Sequence, residues 1–150
     1  MNTKLVSSIA EVTRSRLVTI GVDGSVLDAA RLLSDTQISL VVVCNADRTM
    51  AGVVTKTNIV RQIAHCHGGS CTIAVAEIMT ANATFCRNTD SLPQVLAMMT
   101  ERGYVHVPVI DDNRMPLGVV NARDALRELM LEEQYEEALL RDYVMGVGYR

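Results

Sequence analysis

The sequence predicts an α/β protein built from two β-α-β-β-α repeats that pack sheet to sheet with pseudo-twofold symmetry, followed by a C-terminal amphipathic helix. Three observations predict it. The chain aligns with itself, without a gap, when shifted by 66 residues. Each copy alternates short apolar runs with stretches whose apolar residues recur at helical spacing. With 49% hydrophobic but only 3% aromatic residues, the core must consist of Val, Leu, Ile, Met and Ala, a composition suited to strands buried on both faces.

Under the shift, positions 25–61 lie over 91–127, and eight of the 37 pairs are identical. These are Ser25/Ser91, Val41/Val107, Val43/Val109, Arg48/Arg114, Gly52/Gly118, Val53/Val119, Val54/Val120 and Arg61/Arg127. Agreement of class is stronger evidence: Val26, Ala30, Leu32 and Leu33 fall on Leu92, Leu96, Met98 and Met99.

Each copy opens with a β-prone run, at 17–20 and 83–86. A helix follows, capped by Ser25 or by Asp90/Ser91, with Pro93 in the first turn of the second copy, where proline is tolerated. Strands at 40–44 and 105–110 come next, then polar turns through Asn45, Asp47 and Arg48 or Asp111, Asp112 and Asn113. Strands at 51–54 and 117–120 complete two hairpins, and helices at 56–65 and from Ala122 onward close the copies. Such a half leaves one sheet face bare, which a second copy covers, and the twofold junction leaves clefts where small ligands sit.

The net charge of −3 argues against a sequence-independent nucleic-acid binder, which needs a positive field. No run is long enough to span a bilayer, and the first 20 residues have no signal-peptide pattern. Cys44, Cys66, Cys71 and Cys86 lack the dense spacing of a disulfide scaffold, so the expectation is a cytoplasmic protein with reduced thiols.

The arrangement resembles the tandem CBS domain pair, or Bateman module, of the stand-alone bacterial type, over about residues 5–130. The residues that carry the resemblance are Gly52-Val53-Val54-Thr55-Lys56-Thr57-Asn58, Gly118-Val119-Val120-Asn121-Ala122-Arg123-Asp124, Val105-His106-Val107-Pro108-Val109, and the lead-in Val75-Ala76-Glu77-Ile78-Met79-Thr80. The domains then run 1–66 (first repeat with lead-in), 67–80 (linker), 81–130 (second repeat) and 131–150 (helical tail).

The resemblance implies a regulatory module that senses an adenine nucleotide and catalyses nothing: AMP foremost, with ADP, ATP, NAD or S-adenosylmethionine as alternatives. In the family, a Ser or Thr after the last strand of a repeat faces phosphate, and an acid three residues on accepts from the ribose hydroxyls. Each copy here departs from that pair. The first has Thr55 but Asn58; the second has Asp124 but Asn121. The retained acid makes the second site the preferred one, with Met79, Thr84, His106, Pro108, Val120, Asn121 and Arg123 as companions of Asp124. The first site would use Thr19, Ile20, Leu40, Val41, Thr55 and Asn58.

Plainer roles stand beside these. Thr55 and Asn121 suit N-caps, Asp124 complements a helix dipole, and His106 fits a strand boundary. His65, Cys66, His67 and Cys71 are four metal-ligand types within seven residues, but the adjacency of Cys66 and His67 matches no standard zinc spacing, and a polar linker loop is the simpler reading. Cys44 and Cys86 lie in strand patterns and read as inert. In the tail, Tyr135, Leu139, Tyr143 and Val144 recur beside Glu132, Glu133, Glu136 and Glu137, an amphipathic helix. Such a helix covers its own subunit or packs on a partner; because CBS pairs commonly associate as flat dimers, the resemblance implies a homodimer with the tail near its interface, acting on a partner in trans. The competing reading is a ligand-free dimeric adaptor with degenerate sites.

Overall fold

The structure is a computed structural model that describes residues 4–65 and 73–141. A short 3-10 turn leads into α1 (Ala10–Ser15), followed by β1 (Thr19–Gly21), α2 (Val26–Leu33), β2 (Leu40–Cys44), β3 (Met50–Thr55) and α3 (Lys56–Ala64). After a second 3-10 turn at Val75–Glu77 come α4 (Leu92–Arg102), β4 (His106–Ile110), β5 (Pro116–Asn121) and α5 (Ala122–Arg141).

Local chemistry explains the boundaries. The Ser25 hydroxyl accepts from the Asp28 amide at 3.0 Å, a cap worth about 1 kcal/mol, and Ser91 does the same for Gln94 at 3.4 Å. Val26, Ala29 and Leu33 recur at helical spacing and are the buried residues of α2. Helix α4 ends at Gly103, whose φ of 73° closes the last turn in the left-handed region.

Strands β1, β2 and β3 form one sheet, with β1 parallel to β2 and β2 antiparallel to β3; β4 and β5 form a separate antiparallel hairpin. The duplication reaches into backbone detail. The register shifts between Val43 and Cys44 in one hairpin and between Val109 and Ile110 in the other. The turns place Arg48 and Arg114 at positive φ, 73° and 63°. The run at 83–86, expected as a strand, forms only the parallel bridge Cys86–Val109. Only Cys86 in that run exchanges backbone hydrogen bonds with β4, through Pro108 O and Ile110 N, while Phe85 is exposed.

Alternation sorts the strand residues into two layers. Val41, Val43 and Val54 pack with Val26, Ala29, Leu33 and Ile59 of the helices. Leu40, Val42 and Val53 pack instead with Ile110 and Val119 of the other hairpin. The halves thus meet sheet to sheet, each buried Val or Leu contributing about 1.5–3 kcal/mol. A backbone bond from Met50 N to Arg114 O, 2.9 Å, ties the junction.

The lead-in segments cross over. Val6 and Ile9 belong to the core of the second repeat, and Val6 N donates to Asp90 O at 2.9 Å. Val75 belongs to the core of the first repeat, and its N donates to Gly24 O at 2.7 Å. The crossing explains the paired glycines. A Cβ on Gly118 would lie 2.7 Å from the carbonyl carbon of Thr13, and one on Gly52 would lie 2.5 Å from Thr80 O. Each lead-in thus adds its apolar residues to the core of the repeat it does not precede.

Helix α5 runs unbroken from Ala122 to Arg141, so the boundary expected between 130 and 131 falls inside it; Tyr143 and Val144 lie outside the described residues. No helix among the described residues is long and apolar enough to cross a membrane.

Candidate functional site

At one edge of the sheet junction, the ends of both hairpins frame a cleft of about 530 Å³. Leu40 pairs with Thr55 at the end of the first hairpin, and His106 pairs with Asn121 at the end of the second. The first repeat contributes Ser39, Leu40, Val53, Thr55, Lys56, Thr57, Asn58 and Arg61 to the lining. The second contributes Thr84, Gly103, Tyr104, Val105, His106 and Pro108, with Thr80 and Ala83 from the crossing segment. The lining holds two basic side chains, Lys56 and Arg61, and no carboxylate.

The hydroxyls and amides here are held in place. Asn58 Oδ1 accepts from Thr55 N and Thr55 Oγ1, both at 2.9 Å, and Asn58 Nδ2 donates to Ile78 O at 3.0 Å. This caps α3 and ties its first turn to the lead-in of the second repeat. On the opposite wall Thr84 Oγ1 accepts from Arg102 Nη1 at 3.0 Å. The site can therefore take an anion near Lys56 and Arg61 and a flat apolar group against Leu40, Val53 and Pro108.

The equivalent positions in the second repeat are differently engaged. Asn121 Oδ1 accepts from the amides of Arg123 (2.8 Å) and Asp124 (3.3 Å), capping α5. Asp124 is buried, and Arg16 at the end of α1, the lead-in that packs on the second repeat, grips it: Arg16 Nε donates to Oδ2, and Nη2 donates to Oδ1 at 3.0 Å. Hydrogen bonding to Asp124 raises the Arg16 pKa above its ordinary value.

His106 lies between these groups. With Asn121 Oδ1 committed to the cap, the amide nitrogen faces the imidazole, so Asn121 Nδ2 donates to His106 Nε2 at 2.8 Å. The ring is therefore a neutral acceptor at that nitrogen. Burial, aided by the charges of Arg16 and Lys56 and opposed by Asp124, holds its pKa below the ordinary value.

The structure thus regroups the expected residues. Leu40, Thr55 and Asn58 meet Thr84, His106 and Pro108 in one cleft, although the sequence reading assigned them to two sites. Val41 and Val120 do not line it: both are fully buried in the helix-facing layers. Ile20 and Met79 pack against the first repeat's core, and Thr19 is an exposed residue of β1 paired with Val42. Arg123 faces a separate shallow depression with Leu126, Arg127, Met130 and Leu131. Lys56, Arg61, Tyr104 and Arg16 were not anticipated. The first two follow directly from the helix start at Thr55; nothing local marks Arg16.

Among the described residues no cluster of His, Cys, Asp or Glu is arranged to hold a metal. His65 is exposed, and Cys66, His67 and Cys71 lie outside the described residues. Burial pushes the Cys86 thiol up to about 12 and raises that of Cys44, which keeps both protonated.

Comparison with known proteins supports the duplicated frame. The family model for the CBS domain matches residues 9–65 and again 75–131. Arabinose 5-phosphate isomerase GutQ of Escherichia coli (strain K12) is 30% identical over 105 residues, 70% of this chain and 32% of that protein. The chain therefore spans about a third of the length of these curated relatives. The crystal structure of a CBS-domain containing protein from Agrobacterium tumefaciens matches with a TM-score of 0.65 and 31% identity, covering 74% of this chain and 82% of that one. That of CBSX2 in complex with AMP matches with a TM-score of 0.73 and 20% identity, covering 86% and 98%.

Proposed function

Because the chain belongs to the CBS domain family, we propose that it is a regulatory module that binds an adenine nucleotide between its repeats and acts on a partner in trans, without catalysing a reaction. The observation that carries this is the cleft of about 530 Å³, which unites Thr55 and Asn58 of one repeat with His106 and Pro108 of the other. Its volume suits a nucleotide. Lys56, Arg61 and the hydroxyls of Thr55 and Thr57 favour a phosphate, and the apolar strand ends favour a base. CBSX2, with the same fold, binds AMP, and AMP is the nucleotide proposed here first.

The geometry favours this cleft over the Asp124 side, reversing the order of preference that the retained acid suggests. Asn58 must turn one lone pair from Thr55 to accept from a ribose, a weaker arrangement than a carboxylate gives.

Thermal unfolding with AMP, ADP, ATP, NAD and S-adenosylmethionine tests the reading. Ligand at 100 times its dissociation constant adds about 2.7 kcal/mol of stability. The expected result is a shift with at least one phosphate-bearing nucleotide that Lys56→Ala together with Arg61→Ala removes. No shift with any of the five at millimolar concentration rejects it.

A second reading, a ligand-free adaptor, is favoured by the prior engagement of both Asn58 and Asp124. Native mass spectrometry of gently purified protein separates the two, since a retained nucleotide excludes the adaptor. Either reading accommodates a homodimer. The exposed apolar residues Val60 and Ile63 on α3 and Leu126, Met130 and Leu131 on α5 support one. Sedimentation of a Val60→Glu, Leu126→Glu variant should then show the monomer.

A further inference from the structure

The 66-residue shift that relates the repeats also maps the open cleft onto a matching position in the other half, here called the second cleft, and it places Asp124 on Asn58, Asn121 on Thr55 and Gln37 on Gly103. In the open cleft Asn58 and Gly103 are both lining residues. In the other half the guanidinium of Arg16 spans the matching pair. It donates to both oxygens of Asp124 and, at 3.5 Å, to the carbonyl oxygen of Gln37. The residue that matches Arg16 is Asn82, which does not line the open cleft. The lead-in segment that lines the open cleft, through Thr80 and Ala83, therefore puts no charged side chain across it, whereas Arg16 crosses the matching place in the other half.

We propose that Arg16 is a tethered occupant of the second cleft, so that each chain takes one nucleotide, beside Thr55 and His106, and the second cleft admits one only when Arg16 is withdrawn. This rests on the nucleotide reading above. The chemistry is a competition for one carboxylate. Two parallel charge-assisted hydrogen bonds hold Asp124. A ribose diol offers the same oxygens two neutral donors and must first leave a guanidinium without its partner. The side chains of Arg16 and Asp124 are 23% and 6% exposed, so water does little to ease the exchange.

Isothermal titration of the full chain with AMP, and with ATP in parallel, tests this. The wild type is expected to bind one nucleotide per chain. Arg16→Ala is expected to bind two, and the added site is expected to vanish in the Arg16→Ala, Asp124→Ala double variant. Should Arg16→Ala fold poorly, Arg16→Gln keeps one donor to Asp124 and is expected to weaken the block, exposing a second site of lower affinity. A wild type that binds two per chain, or folded Arg16 variants that still bind one, overturns the role of Arg16 and leaves the nucleotide reading standing. No binding to any of these proteins removes both.

Discussion

Arg16 and Asp124 lie 108 residues apart in the chain and share a two-pronged ion pair that ties the crossing lead-in to the second repeat. Removing the guanidinium leaves a buried carboxylate without its cation. Breaking a fully buried pair costs about 3–5 kcal/mol; with Arg16 partly exposed, Arg16→Ala should cost about 2–3 kcal/mol. Chemical denaturation measures it. Replacing Asp124 by Ala as well should recover part of the loss, because the stranded charge is gone. A double variant whose loss is strictly the sum of the two single losses would show that the two side chains are not coupled.

This pair marks the boundary of what a linear reading can see. The hairpins are legible because their apolar runs, polar turns and caps each lie within a few residues, and the shared Gly52 and Gly118 point to a repeated close approach. The acid at Asp124 made the second site attractive because it stands three residues beyond Asn121, yet its partner comes from a helix that precedes the first repeat. For the same reason His106, Pro108 and Thr84 were grouped with Asp124. They line the open cleft because it takes walls from both repeats, and that follows from how the sheets cross, which no local pattern encodes.

The paired glycines should differ from Gly103 in how they respond to alanine. At Gly118 a Cβ meets the carbonyl carbon of Thr13 at 2.7 Å and also its side chain, Oγ1 at 2.7 Å and Cβ at 2.8 Å, and the cost should be about 1–3 kcal/mol of overpacking. At Gly103 nothing lies within 4 Å, so only the left-handed backbone opposes a side chain, at about 1–2 kcal/mol. Each kcal/mol lowers the Tm by about 2–4 °C in a chain of this size. A compensating Thr13→Gly should rescue Gly118→Ala in part and leave Gly103→Ala unchanged. Equal rescue of both would remove the close-approach argument.

The two turn arginines share a strained backbone but not a role. Arg48 is exposed, and at φ 73° glycine suits its position better. Arg48→Gly should be neutral or stabilising by up to about 1 kcal/mol, the strain relieved less the added chain entropy. Arg114 gains the same relief but loses the bond from its Nη2 to Met50 O, 3.3 Å, that ties its turn to the first sheet. Arg114→Gly should therefore be the less stable of the two variants. Paired melting curves check the order, and an inverted order would discard the contact as a source of stability.

The imidazole of His106 should make the fold acid-sensitive. Its pKa in the folded chain is held below the ordinary 6.5, chiefly by burial and next by Arg16. In the window from pH 6.5 down to that lower value the unfolded chain binds more protons than the folded one, so stability rises with pH through the window. The contribution is complete above pH 6.5, is lost as the pH falls towards the folded value, and changes no further below it. His106→Gln removes the titration and keeps an acceptor for Asn121 Nδ2. The wild type should therefore lose more stability than the variant between pH 7.5 and pH 5, while acid groups common to both cancel in the comparison. Parallel curves for the two proteins would mean that His106 is as easily protonated in the folded chain as in the unfolded one, contrary to its burial beside Arg16.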